Sequence, residues 1–563
     1  MSLVHLTIDG KKIAVAPGTT ILKAAQEAGI FIPTLCYLEG INEVGACHMC
    51  SVEIEGEEEP QPACITPVRE GMVVHTDTSR IRKMREALQI RLRLAKAQAF
   101  SARDFKVDRS DSAIIRDPNK CIACLRCESV CHKMQTVGAI ALQRLENRMV
   151  VAPIGSDSLA GTPCVQCGQC THVCLTGALA ERDQTAELLE LLEDKGKHVV
   201  IQTSPASRVS LGEMFFLSPG EDVTGRMVAA LRRLGFAKVF DTTLGADITA
   251  MEEAREFQDK LQKGRGLPHF TSCCGAWVRF VEQFYPQLVE NLSSCKSPQQ
   301  MLGALIKAYY APRQGLDPGS VVVVSLTPCT SKKGEALRLK NSGHKDVDLV
   351  LTMREMGRLL RSKDIDLETM PEEDFDSPFG PGSGGGQIFG ASGGVATSLL
   401  RTLGSWEGVP ITELNWRAWA GEDLIQEALV NFKGKEIRAL RVQTLGKARL
   451  ILDKLASGEL GEYHLVEVMA CPGGCIGGGG QPIPSTQERL EARAEALKAR
   501  DGGKAAWRLA QENPQVQEIY SQFLENPGSP RAKELLHTFH ASTSPRREEA
   551  QAQKKRGFLF FGR

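Results

Sequence analysis

Residues 121–131 read CIACLRCESVC and residues 164–174 read CVQCGQCTHVC, two copies of C-x2-C-x2-C-x3-C in a chain of 563 residues. Three thiolates at this spacing fold around one face of an iron–sulfur cubane while the fourth reaches the cubane of the other run. Cluster one is therefore expected on Cys121, Cys124, Cys127 and Cys174, and cluster two on Cys131, Cys164, Cys167 and Cys170. Zinc sites rarely use such overlapping spacing, so residues 113–185 predict a two-[4Fe–4S] ferredoxin domain of the bacterial type.

Ten of the 18 cysteines lie outside these runs. Cys36, Cys47, Cys50 and Cys64 form C-x10-C-x2-C-x13-C inside a segment that reads as a strand pair (3–8, 12–16) and a short helix (20–28). That layout resembles the [2Fe–2S] ferredoxin-type domain, of α+β class, found at the N-terminus of complex I large subunits and many hydrogenases. The resemblance assigns residues 1–78 to such a domain, with backbone N–H groups of the 45–50 loop facing the cluster. Those relatives carry a further cubane on one histidine and three cysteines. Here 65–120 holds no cysteine and only His75, so 79–112 is expected to be a basic helical linker without that cluster.

Composition narrows the function classes. Lysine plus arginine equals aspartate plus glutamate at 68 each, so there is no net field to hold a nucleic-acid backbone or an anionic membrane. No apolar run reaches the ~20 residues of a membrane span, and the first 15 residues alternate like a strand, which predicts a cytoplasmic protein without membrane insertion. Cysteines at short repeated spacings in so large a chain indicate metal thiolates, not disulfides.

From 186 to 545 the sequence alternates apolar runs (198–201, 238–241, 321–326, 347–352, 437–442, 463–469) with helical patterns, predicting α/β layers with mostly parallel strands. Sites in such sheets gather beyond the strands' carboxyl ends, and Cys329 and Cys471 follow two of these runs. Cys273 and Cys274 precede a helix expected near Trp277, and Cys475 follows Cys471.

Three segments carry a specific resemblance: TSCCGAW (271–277), TPCTSKK (327–333) and EVMACPGGC (467–475) followed by the glycine-rich 477–482. They resemble the three signature motifs of the [FeFe]-hydrogenases, implying a multidomain protein with a two-lobed α/β catalytic domain over 186–545. The resemblance implies an H-cluster: a [4Fe–4S] cubane on Cys274, Cys329, Cys471 and Cys475, bridged to a diiron unit carrying CO, CN and azadithiolate ligands. It implies reversible conversion of H2 to protons and electrons, and maturation proteins that build the diiron unit. Lys332 matches the family's cyanide-binding lysine, with backbone donors expected around Pro205 and Ala206, and Met469 and Phe389 match apolar residues over the cluster. Cys273 matches the proton-relay cysteine. Glu253, Glu256 and Lys260 share one face of a helix expected over 247–262 and, with Ser293, align with the family's proton path; without the motif such a stripe would read as solvated surface.

Gly275 stands where relatives have proline and Thr327 where they have methionine, which puts potential and oxygen tolerance in question but not cluster attachment. Cys295 reads as a buried inert thiol. Glycine-rich 382–386 and 477–480 give neither GxGxxG nor GxxxxGK[ST], so the electron partner is expected to be ferredoxin or a separate NAD(P)H-binding subunit. Two alternatives stand beside this reading: an H2-sensing regulatory hydrogenase, which usually loses the relay cysteine, and a non-catalytic iron–sulfur scaffold protein. The tail 546–563, charged and then apolar, is either disordered or a docking tip.

Overall fold

Alternating apolar residues in 4–8 and 11–15 produce an antiparallel pair, Val4–Ile8 with Lys11–Val15, that starts a five-stranded sheet. The computed structural model describes residues 3–97, 105–146, 148–338, 345–432 and 434–540. The chain divides into two units, one of 1–164 with 169–180 and the other of 165–168 with 181–563.

In the first unit Val4–Ile8 also pairs in parallel with Met72–His75, which continues through Ser51–Ile54 to Gln61–Pro62. Thr20 caps the helix Ile21–Glu27, its Oγ1 accepting from the Lys23 N–H, and the helix buries Ile21, Leu22, Ala24 and Ala25 against the sheet core. Cys50 and Cys64 lie in that same core. The linker contains the helix Ser79–Ala97. His75 lies on a strand and pairs with Glu55 at 3.0 Å, both side chains exposed. Farther along the first unit Ile140–Leu145 and Arg148–Pro153 form an antiparallel pair.

In the second unit a fully parallel sheet runs Lys238–Asp241, His198–Thr203, Val321–Leu326, Leu349–Leu351. All six residues of Val321–Leu326 are buried, as a strand covered on both faces requires. The other sheet departs from the expected parallel pattern. His269–Phe270, Leu465–Met469 and Lys435–Gln443 are parallel, but Glu422–Phe432 and Arg417–Trp419 add antiparallel strands to the edge. Glu422–Phe432 alternates poorly and is mostly half-exposed, which is why no apolar run announced it.

The longest helix, Thr242–Lys263, extends both ends of the expected 247–262; Asp241 caps it by accepting from the Thr243 N–H, and Gly264 ends it with φ 61°. No helix among the described residues is long and apolar enough to cross a membrane. The tail 546–563 lies outside the described residues.

Candidate active site and cluster-binding loops

The five distal cysteines sit on loops that follow strands of the second unit. Cys273 and Cys274 come after His269–Phe270, Cys329 after Val321–Leu326, and Cys471 and Cys475 after Leu465–Met469. Cys274 is the N-cap of Gly275–Phe284, so the helix begins two residues before the expected Trp277. Burial pushes the Cys471 and Cys475 thiols up, and each is raised further by Cys329 and Cys274 nearby. Cys274, Cys329, Cys471 and Cys475 therefore converge on one spot, where a bound metal would take each sulfur as thiolate. Four converging thiols, Cys471 buried and the other three half-buried, beside a buried cation are a donor set that suits a cubane.

That cation is Lys332. Burial opposes its charge, but Glu335 and the neighbouring Cys329 and Cys273 outweigh burial and raise its proton affinity. Its Nζ donates to the Cys273 carbonyl at 2.8 Å and to Glu335 Oε2 at 2.7 Å. Glu335, which no motif flagged, also accepts from Ser297 Oγ at 2.8 Å and Gln299 Nε2 at 3.0 Å. Pro205 and Ala206 open a buried 3-10 turn after His198–Thr203. Proline has no N–H, so of these two only Ala206 can donate through its backbone. Phe389 and Met469 are buried in the core against which Cys273 and Cys274 pack.

Cys273 differs from its neighbours in its surroundings. Burial raises its thiol, and the next causes are two carboxyl groups, Glu253 and Glu467. Glu253 is 1% exposed, so the stripe on Thr242–Lys263 is not a solvated face at this end. Farther along the helix Glu256 accepts from Ser293 Oγ at 2.9 Å and from Ser294 Oγ at 3.1 Å, and lies 3.3 Å from Lys260 Nζ. Burial pushes the Glu256 carboxyl up, but His269, Lys260 and these donors overcome it and hold it down at about 2. Lys260 also donates to the carbonyls of Asn291 and Leu292. Cys295 is buried, its Sγ 3.8 Å from Glu256 Oε2.

His269, His537 and His540 lie in no motif, and Glu467, though it opens the motif 467–475, carried no assigned role. His537 bridges Ser294 Oγ at 2.7 Å and Glu252 Oε2 at 3.0 Å, and His540 Nε2 lies 2.7 Å from the Ser293 carbonyl. Burial lifts Glu467 to about 7 against hydrogen bonds from the Ala396 and Gly393 N–H groups. Lone histidines and glutamates carry no spacing signal; only the tertiary fold brings them together.

The N-terminal cysteines also group. Hydrogen bonding to Cys36 lowers Cys47 to about 5, and hydrogen bonding to Cys64 lowers Cys50 to about 7, so the four thiols stand as two touching pairs. The Met49 N–H donates to Cys47 Sγ at 3.4 Å, as expected of the 45–50 loop. Cys121, Cys124, Cys127 and Cys174 line one cavity. Backbone N–H groups of Val151, Leu179 and Ala139 donate to Cys121, Cys174 and Cys131 Sγ, each at 3.3 Å. Cys131, Cys164 and Cys170 pack against the same core. Cys167 belongs to the 165–168 loop of the second unit, and it is among the thiols that raise Cys471. A Cβ on Gly479 would meet the Cys167 carbonyl at 2.4 Å, and Gly168, at φ +70°, would meet Gly479 Cα at 3.0 Å. Only glycines allow these backbones to approach so closely.

The family profile described as iron only hydrogenase large subunit, C-terminal domain, matches residues 197–479. The 2Fe-2S iron-sulfur cluster binding domain matches 2–79, and the iron hydrogenase small subunit matches 487–542. The NADP-reducing hydrogenase subunit HndD of Solidesulfovibrio fructosivorans is 42% identical over 96% of this chain and 99% of its own. Iron hydrogenase 1 of Clostridium pasteurianum is 34% identical over 94% and 99%. Among solved structures, an apo [FeFe]-hydrogenase HydA1 from Chlamydomonas reinhardtii is similar with a TM-score of 0.59 and 34% identity, over 65% of this chain and 100% of that one.

Proposed function

The chain belongs to the iron-only hydrogenase family, and on that premise we propose that it interconverts H2 with protons and electrons at an H-cluster on Cys274, Cys329, Cys471 and Cys475. The observation that carries this reading is the convergence of those four thiols beside Lys332, with a fifth thiol, Cys273, under the influence of the Glu253 and Glu467 carboxyls. When bound, the diiron unit supplies an open metal site and a basic amine at which H2 can be split heterolytically.

The chain's own residues do the rest. Lys332, fixed by Glu335, presents a buried positive charge where anionic cyanides need hydrogen-bond donors. Ala206 can supply a backbone donor, while Phe389 and Met469 contribute apolar packing that keeps water out. Cys273 takes or gives the substrate proton at Sγ, and Glu253, Ser293, Glu256 and Lys260 conduct it to solvent. Glu256, held ionised with low proton affinity, would pass a proton on and not retain it.

We assign the electrons to a wire: a [2Fe–2S] cluster on Cys36, Cys47, Cys50 and Cys64, then cubane one, then cubane two. Asn42, fully buried, supports the first step, its Nδ2 donating to the carbonyls of Cys36 at 2.7 Å and Cys124 at 3.1 Å. The approach of Cys167 to Gly479 supports the last. One relative is named an NADP-reducing hydrogenase subunit, which favours a separate NADP-linked subunit as electron partner, with ferredoxin the simpler alternative.

An infrared spectrum of purified protein matured with the diiron unit tests the proposal. Absorptions of metal-bound CO and cyanide are expected where protein is transparent. A protein that keeps its cubanes but shows no such bands after maturation would be a scaffold, not an enzyme.

A further inference from the structure

Glu253 is buried on Thr242–Lys263, and among the described residues its one ionic partner is His269. The short strand His269–Phe270 sits beside Leu465–Met469 at the edge of the mixed sheet and turns a fully buried imidazole toward the helix. Its Nε2 lies 3.4 Å from Glu253 Oε1, and the ring is tilted against Phe257 with centroids 5.6 Å apart. Neither ring nitrogen, nor Glu253 Oε1, has a hydrogen-bond partner in the protein.

An apolar side chain would fill this slot without burying two polar nitrogens, so the imidazole is costly unless it exchanges charge with the carboxyl. Its surroundings are acidic. Glu253 and Glu256 face it from the helix with Lys260 beyond them, Glu467 approaches Glu253 from Leu465–Met469, and Cys273 and Cys295 flank the two carboxyls from their loops.

We propose that His269 is a positioning residue of the proton path: its ring shares one proton with Glu253 across the 3.4 Å contact and so keeps that carboxyl able to accept a proton from the Cys273 side. This rests on the path proposed above. The exchange breaks an N–H bond as it makes an O–H bond, or the reverse, and moves no electrons. Without the imidazole the buried carboxyl keeps its own proton, which suits donation toward the cluster but obstructs acceptance from it. Loss of His269 therefore impairs H2 oxidation more than H2 evolution.

The test uses His269→Phe, His269→Gln and Glu253→Gln in the full chain. In protein carrying its cubanes but no diiron unit, the protonated-carboxyl infrared band that Glu253→Gln removes should persist in His269→Phe to roughly one pH unit above the native protein. In matured enzyme, H2 oxidation should fall about tenfold relative to evolution, with its optimum displaced to higher pH. His269→Gln, which can hydrogen-bond but not titrate, should behave like His269→Phe, and it decides alone if the phenylalanine variant does not fold. A native band and native pH profile in either folded variant would overturn the proposal. Unchanged turnover in Glu253→Gln would instead remove the path, while the infrared band would still report the pairing.

Discussion

A proline at position 275 would enter the first turn of Gly275–Phe284, where its fixed φ and missing N–H cost nothing. A Cβ there would lie 2.7 Å from Ser331 Oγ, a hydroxyl that acts on the Cys329 thiol as a hydrogen-bonding group. Ser331 follows Cys329 by two residues, so Gly275→Pro should push that hydroxyl toward or away from sulfur and alter the potential or air sensitivity of the active site while leaving its assembly intact. Voltammetry under H2 and after brief air exposure measures this; a potential and inactivation time equal to native would make the substitution neutral. Thr327 is buried with its N–H on the Leu351 carbonyl, and nothing in the structure explains its hydroxyl. For Cys273, Cys273→Ala should cut H2 turnover by at least ~100-fold with cubane spectra retained, because on the proposed path this thiol would move protons and hold no iron. Loss of the cubane signal would make it a ligand. At this scale the ligands were legible because cluster chemistry dictates their spacing, and Glu335 and His269 were not, because their roles come from contacts between segments distant in sequence.

Elements differ in legibility for a related reason. The buried strand Val321–Leu326 was plain as an apolar run, whereas Glu422–Phe432, paired antiparallel with Lys435–Gln443, hides its register in mixed exposure. Between elements, burial raises the Glu181 carboxyl, but Arg354 and Arg358 prevail and hold it at about 2. Arg354 on Met353–Ser362 donates to Glu181 Oε2 through Nη2 at 2.6 Å and Nε at 3.1 Å. A depressed carboxyl stabilises the fold above its unfolded range near ~4.3 and loses that contribution as pH falls toward 2. Glu181→Gln should thus cost about 3 kcal/mol at neutral pH, with native and variant converging as the solution approaches pH 2. Denaturant titrations at pH 7 and pH 3 check the sign: a difference that grows on acidification would contradict the ion-pair account.

For the whole molecule, the test is how many clusters the chain holds. Sixteen of its 18 cysteines fall into four sets of four, leaving Cys273 and Cys295 aside. On the proposed assignment the set 36–64, with its two touching thiol pairs, would take a [2Fe–2S] cluster and the other three would take cubanes. Anaerobic reconstitution without maturation should therefore yield one [2Fe–2S] cluster and three cubanes, about 14 irons per chain, with two more after maturation. Each set can be removed independently: Cys47→Ser should abolish the [2Fe–2S] signal and leave the cubanes, since its four ligands come from residues 36–64 alone. A further cubane would need ligands that 65–120 does not provide, where the lone histidine, His75, is engaged with Glu55 at the surface. Iron analysis with electron paramagnetic resonance of the reduced protein decides the matter. A fourth cubane would mean that the linker around Ser79–Ala97 carries a cluster, and that electrons enter this enzyme by two branches instead of one.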